Sequence, residues 1–213
     1  SFSLNSFETF EMIANRIVEK KVAVILFNFQ NDKSEPYTTE YARGVVFTNP
    51  DSVKNYYGEV SFNQTILKGK LNPDNGDVFG WFTIPYTNKG CSSNYSAWAI
   101  AAKKQAELSG INLSGYTNFI YGFKGVSCDW VGMASLGPPY QVWISVDIYP
   151  SLVAHEFGHN LGMRHANYLE CTDSGELVSI SNNCNSMEYG DPYDVMGSSY
   201  KHNNNYNKGR TSY

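Results

Sequence analysis

The sequence has few charged residues, and its basic residues form no run. Asp, Glu, Lys and Arg make up 17% of the 213 residues, and the net charge is −4. A typical soluble domain carries about 25% charged residues, and a nucleic-acid-binding domain usually shows a basic stripe. We therefore expect no nucleic acid as a partner.

Long apolar runs are also missing. The segment 22–27 is among the longest, whereas a membrane-spanning helix needs about 20 apolar residues. We predict no membrane span. The 42% of hydrophobic residues nevertheless suffices for the core of one domain, and we expect a monomer.

No two cysteines are spaced C-x-x-C, which disfavours a zinc knuckle or a thioredoxin-like site. An even number of cysteines in a chain rich in Tyr and Asn favours disulfides and an exported protein. Free thiols in a cytosolic protein are the alternative. Three pairings are possible, and we favour the two local ones, Cys91 with Cys128 and Cys171 with Cys184.

The order of apolar segments and turns predicts an α+β fold. Residues 1–20 form an amphipathic lead-in in which Phe7, Phe10, Ile13 and Ile17 recur at helical spacing. We predict strands at 22–29, 41–47, 65–71, 78–85, 118–123, 131–136 and 141–146. We predict helices at 53–57, 94–110 and 150–161, followed by a polar, irregular segment.

The segment 72–77 is predicted to be a turn. Asp74, Asn75 and Asp77 offer oxygens that a calcium ion prefers. Calcium is a weak alternative here, because the number of ligands is too small.

Residues 155–165 read His-Glu-Phe-Gly-His-Asn-Leu-Gly-Met-Arg-His. His155 and His159 are four residues apart and so project from one face of a helix. Gly162 lets the chain leave the helix and bring His165 back as a third ligand. Three imidazoles with a fourth position open are typical of a catalytic zinc site.

Glu156 follows the first histidine, near the expected position of a metal-activated water. It is predicted to act as general base on that water and then to pass the proton to the leaving amine of a peptide bond. The motif can also occur by chance on a helix surface. Here the helix is apolar, and burying these polar groups without a metal would be costly.

The pattern H-E-x-x-H-x-x-G-x-x-H resembles the signature of the metzincin zinc endopeptidases. These enzymes have a second mark, a tight turn that contains a methionine. The segment 191–197, Asp-Pro-Tyr-Asp-Val-Met-Gly, is similar to that turn. The resemblance implies that Met196 forms an apolar floor beneath the zinc-binding imidazoles.

Within the metzincins, the segments 152–166 and 189–197 are most similar to the gametolysin family, and 22–29 and 53–67 support this more loosely. Ala166 after the third histidine differs from the Asp, Glu or Pro of several other families. Ser198 stands where some metzincins have a tyrosine fifth ligand, so the resemblance does not imply such a ligand.

The resemblance implies an architecture in one catalytic domain. After the extension 1–20, an upper subdomain, 21–162, would hold a twisted mixed sheet, a backing helix and the active-site helix. A smaller, loop-rich lower subdomain, 163–213, would hold His165 and the Met-turn. An extended polypeptide would bind in the cleft between them.

The resemblance also implies substrate contacts. The edge strand near Met133, Ala134, Leu136 and Gly137 would run antiparallel to the substrate. Tyr193 is a further candidate, for the oxyanion, although a packing role is the alternative.

These observations predict a secreted zinc endopeptidase that cleaves extracellular proteins. A catalytically inactive metzincin-like module that only binds proteins is the alternative from another class. An exopeptidase or another zinc amidase is a second enzymatic alternative.

Overall fold

The computed structural model describes residues 17–125, 127–181 and 183–197. Residues 1–16 of the predicted amphipathic segment therefore lie outside the described residues. The region after the Met-turn, 198–213, lies outside them too. The predicted α+β fold class is confirmed.

Nine strands and four α-helices are found in the described part of the chain. The strands are β1 (Val18–Phe29), β2 (Thr65–Lys68), β3 (Asp77–Ile84), β4 (Asn118–Gly122), β5 (Gly132–Ala134), β6 (Tyr140–Ile144), β7 (Tyr168–Asp173), β8 (Glu176–Leu177) and β9 (Cys184–Met187). The helices are α1 (Thr39–Arg43), α2 (Val53–Val60), α3 (Cys91–Leu108) and α4 (Pro150–Asn160).

The first sheet is mixed and has the order β2-β1-β4-β6-β5, with β3 also paired to β1. Every pair in it is parallel except β5 with β6, which is antiparallel. The strand β5 is therefore at an edge, with β6 as its partner among the described strands. This is the edge strand that the sequence predicted.

The two faces of β1 belong to two cores. Val22, Val24 and Leu26 pack in one core with apolar residues of α2 and α4. Ala23, Ile25 and Phe27 pack in the other core with Trp98 and its neighbours on α3. Because side chains alternate across a strand, this central strand is buried on both sides. The backing helix α3 and the active-site helix α4 thus lie on opposite faces of the sheet.

The strand predicted at 41–47 is wrong. The chain there forms α1, which continues as a π-helical turn at Gly44–Thr48. The Thr38 side chain accepts a hydrogen bond from the Tyr41 N–H at 3.0 Å and caps α1. Short apolar runs such as Val45-Val46-Phe47 suit a buried helix as well as a strand, so periodicity alone cannot separate the two.

The segment after Gly162 is more regular than predicted. The strands β8, β7 and β9 form a second antiparallel sheet. These strands are polar and half exposed, so no apolar alternation marks them in the sequence. The pair Cys171–Cys184 joins β7 to β9 at directly opposite positions.

Candidate metal centre

The helix α4 presents His155 and His159 one turn apart, with their ring centres separated by 5.1 Å. The chain leaves the helix after Leu161, and Gly162 has a φ of +94°, which glycine adopts readily. The ring of His165 then lies 5.6 Å from that of His155 and 5.0 Å from that of His159. One nitrogen from each ring lies within 4.8 Å of the others. The structure thus brings the three predicted ligands together.

Each imidazole is held through its Nδ1 atom. His155 Nδ1 lies 2.7 Å from the Val195 carbonyl oxygen, and His159 Nδ1 lies 2.9 Å from the Met163 carbonyl oxygen. His165 Nδ1 lies 2.7 Å from Glu188 Oε1. All three partners are acceptors, so each Nδ1 is the hydrogen-bond donor and Nε2 is the nitrogen left to face a metal. This donor set fits a zinc ion bound by three Nε2 atoms.

Electrostatics favour the neutral form that a metal ligand needs. Burial lowers the pKa of His155 below the ordinary value, and the neighbouring His159 and His165 lower it further. Burial also lowers the pKa of His159. At neutral pH both imidazoles are therefore uncharged and ready to coordinate.

Glu156 lies on the same helix and is only 6% exposed. Burial raises the pKa of its carboxyl group to about 8. A Cβ atom at Gly132 on β5 would lie 2.5 Å from Glu156 Oε1. Glycine at position 132 therefore leaves room for the carboxylate between α4 and the edge strand.

The turn with Met196 packs against α4. Met196 is 2% exposed, and a Cβ at Gly158 would lie 2.4 Å from its Sδ atom. The Ala166 N–H donates to the Met196 carbonyl at 2.8 Å, and Val195 holds His155. The turn thus contacts both His155 and Ala166, the residue that follows His165.

The model of metallo-peptidase family M12 matches residues 12–207. The chain belongs to metallo-peptidase family M12. A comparison with curated proteins found no match. Membership makes the chain a peptidase, a hydrolase whose substrate is a polypeptide. It also agrees with the metzincin-like sheet and with the three clustered histidines.

In this M12 chain a cavity of about 350 Å³ opens beside the metal centre. It is bordered by two of the histidines, by the edge strand with the residues after it, and by residues adjacent to the second sheet: Ala134, Leu136, His159, Arg164, His165, Asn167 and Glu188. Of the residues predicted to contact substrate, Ala134 and Leu136 thus border the same cavity as His159 and His165.

The other predicted substrate residues lie in different surroundings. The Met133 side chain packs against the core around α3, and its backbone is paired with Trp143 of β6. Gly137 lies in the turn before the strand β6. Tyr193 is 54% exposed, and its N–H donates to Asp191 Oδ1 at 2.8 Å. An oxyanion role for Tyr193 stays a prediction.

Three residues of the M12 chain were not singled out individually from the sequence. Glu188 contacts His165, and the Tyr189 ring stacks on His165 with centroids 3.7 Å apart. Asn160 is 3% exposed, donates to the Ser135 and Gln141 carbonyls, and accepts from Asn118. No spacing marks Glu188 or Tyr189, but Asn160 stands on the buried face of an apolar helix, which is an indication of a hydrogen-bonding role.

The two favoured disulfides, Cys91–Cys128 and Cys171–Cys184, are present, which accounts for every cysteine in the chain. In the turn at 72–77, the carboxylate of Asp77 accepts hydrogen bonds from Lys70, Leu71, Asn72 and Tyr116. Lys54 and Arg43 donate to the carbonyls of Asp74, Asn75 and Gly76. These contacts engage the Asp77 carboxylate and three backbone carbonyls of the turn within the chain, which favours a structural role for the turn.

Proposed function

We propose that this M12 chain is a secreted zinc-dependent endopeptidase that cleaves extracellular proteins. The observation that carries the proposal is the set of three clustered imidazoles, each with Nδ1 against an acceptor oxygen, beside a buried Glu156. His155, His159 and His165 would hold the ion.

A bound zinc ion would polarise the scissile carbonyl and acidify a water molecule. Glu156 takes the proton of the attacking water on its carboxylate and gives it to the leaving amine as the peptide bond breaks. In this hydrolysis the water supplies one hydrogen to the amine and its hydroxyl group to the new carboxyl group. A buried position beside Gly132 excludes solvent from this carboxylate and favours a directed proton transfer.

The edge of β5 that no other described strand covers supports an extended substrate that pairs antiparallel with it. The backbone groups of Gly132 and Ala134 would pair with the substrate, because Met133 is paired with Trp143 of β6. The cavity beside Ala134 and Leu136 offers space for a substrate side chain. The cleft would then lie between the parts 21–162 and 163–213. We propose the Gly137 turn and Tyr193 as further, peripheral contacts.

Secretion is supported by the two disulfides. Among the described residues, no helix is both long and apolar enough to cross a membrane. We further propose that the chain is a member of the gametolysin family. This proposal rests on the sequences of 152–166 and 189–197 and on Ala166 after the third histidine. We propose a monomer with one zinc ion.

The function is tested with the zinc-loaded protein on casein or gelatin, with and without a zinc chelator. We expect cleavage that the chelator abolishes and that added zinc restores, with internal bonds cut when products are mapped by mass spectrometry. Terminal trimming alone would favour an exopeptidase. Absence of cleavage by the zinc-loaded protein would favour an inactive binding module.

The ligand assignment is tested with His159→Ala, which should lose zinc and activity together. His202→Ala is the matched control, because His202 is the histidine outside the motif. A full zinc content in His159→Ala, measured by elemental analysis, would contradict the assignment.

A further inference from the structure

His165 differs from the other two histidines in how it is held. His155 and His159 lie on α4, and their Nδ1 atoms bind backbone carbonyls. His165 lies on the loop after the helix, and its Nδ1 binds the carboxylate of Glu188 at 2.7 Å. The orientation of the third ligand therefore depends on a side chain that is 23 residues away in the sequence.

A second contact comes from the next residue. The Tyr189 ring lies 3.7 Å from the His165 ring, centroid to centroid, with 30° between their planes. It also lies 5.9 Å from the His155 ring at 21°. Tyr189 has a φ of +59°, an uncommon value for a residue other than glycine. Its N–H donates to Asn167 Oδ1 at 3.2 Å, which helps to hold this conformation.

Both residues follow β9 directly. The strand β9 pairs with β7, and the Cys171–Cys184 bond joins the two strands. The small second sheet therefore anchors the residues that hold His165. Arg164 borders the same cavity, yet in the described part of the chain the Glu188 carboxylate bonds His165.

We propose that Glu188 is a positioning residue for metal binding, and that Tyr189 fixes the plane of the His165 ring. The carboxylate orients Nε2 toward the shared ion and makes the imidazole a stronger donor, as an acceptor on the second ring nitrogen does for metal-bound histidines. This inference rests on the proposed zinc site. It adds that the site's affinity is set in part by the second sheet.

Zinc affinity, measured by competition with a chromophoric chelator, tests the proposal. Loss of such an outer partner typically weakens metal binding by about 10- to 100-fold. We expect Glu188→Ala to weaken zinc binding by about tenfold or more. Glu188→Gln keeps an acceptor oxygen but loses the charge, so it should fall between Glu188→Ala and the wild type. Glu176→Gln, on an exposed position of the same sheet, is the matched control.

Two further measurements separate positioning from a folding defect. The side chain of Glu188 is 67% exposed, so the unfolding temperature of the metal-free protein should not change in either variant. The visible spectrum of the cobalt-substituted protein should change in Glu188→Ala and remain close to the wild type in Glu176→Gln. Tyr189→Ala should show a similar but smaller spectral change.

Glu188→Ala binding zinc as tightly as Glu176→Gln would overturn the proposal, as would a loss of affinity explained by unfolding of the metal-free protein. A wild-type protein that binds no zinc would overturn the proposed function as well. The two failures are thus distinguishable, because the first occurs with an intact wild-type zinc site.

Discussion

At the scale of single residues, burial of the Glu156 carboxyl group carries a large desolvation free energy when the group is charged. An uncompensated charge in a protein interior carries a large desolvation penalty, and burial accordingly raises the pKa of Glu156 to about 8. A divalent cation nearby would favour the ionised form. The same carboxylate would then be both stabilised by the ion and placed to accept a proton.

Glu156→Gln should keep the metal and lose the reaction. Glutamine has nearly the same shape and fits the space beside Gly132, but it cannot accept a proton. General base catalysis is typically worth 10²- to 10⁴-fold, so we expect turnover to fall by at least about 100-fold with zinc content unchanged. Turnover near the wild-type rate would mean that another group is the base.

Asp77 is a second buried carboxylate, and its role is structural. Burial by itself raises its pKa, but the hydrogen bonds from Tyr116, Leu71, Asn72 and Lys70 outweigh this, and the pKa is lowered overall. Its stabilising contribution is therefore complete above the ordinary pKa of about 3.9, and it is lost as the pH falls through the lower value of the folded state.

Asp77→Asn should destabilise the protein by roughly 3 kcal/mol at pH 7, since hydrogen bonds to a charged group are the strong ones. The difference from the wild type should shrink as the pH falls from about 4 to about 2. Denaturant unfolding of the metal-free proteins at several pH values measures it. Asp74→Asn, on the exposed side of the same turn, should show neither effect, and a pH-independent difference for Asp77→Asn would contradict this account.

At the scale of elements, α4 packs closely against the Met196 turn. The Tyr57 hydroxyl donates to the Ala154 carbonyl at 2.6 Å and, with Met196, leaves room only for a hydrogen atom at position 158. Glycine costs a helix about 1 kcal/mol relative to alanine. Glycine fits at position 158 because the neighbouring turn takes the space of a methyl group.

Gly158→Ala should reduce zinc affinity. The added methyl group must displace Met196, and the adjacent Val195 carbonyl, which binds His155, moves with it. Overpacking typically costs 1–3 kcal/mol, which offsets or exceeds the gain in helix propensity. Gly58→Ala is the control, because its Cβ would meet only Asn63 Oδ1, at 3.4 Å, and it should be neutral or stabilising. Equal zinc affinity in the two variants, measured by chelator competition, would count against this contact.

The elements also show what a sequence alone can predict here. The central strand β1 and the helices α3 and α4 have strong apolar patterns, and these were predicted with small errors at their ends. The second sheet has no such pattern, because one disulfide and backbone pairing hold it rather than apolar burial. Glu188 and Tyr189 directly follow β9 of that sheet, so their roles required the structure, whereas His155 and His159 follow from helical spacing and His165 from the extended motif.

At the scale of the whole molecule, zinc binding and folding should be coupled through the histidines. Burial lowers the pKa of His155 and His159, so the folded state binds fewer protons than the unfolded chain. Stability linked to these groups is complete above the unfolded pKa of about 6.5 and is lost as the pH falls below it.

The zinc-dependent part of the stability should therefore disappear in acid. At pH 7, free zinc at 100 times its dissociation constant should add about 2.7 kcal/mol, and dialysis at about pH 4, well below the ordinary histidine pKa, should remove the ion. Unfolding curves with and without zinc, together with elemental analysis, measure both effects. Full zinc content after the acid dialysis would contradict the coupling.

The hydrogen bonds of Asn160 affect how a peptide substrate would be aligned. Its amide spans from the last turn of α4 to the carbonyls of Ser135 and Gln141, which flank the hairpin between β5 and β6. A strand that pairs with β5 is thereby kept in a fixed register with the histidines of the same helix. The Asn160 amide would thus help to determine which peptide bond lies at the histidines. Replacing Asn160 should broaden the set of bonds that are cleaved rather than abolish cleavage.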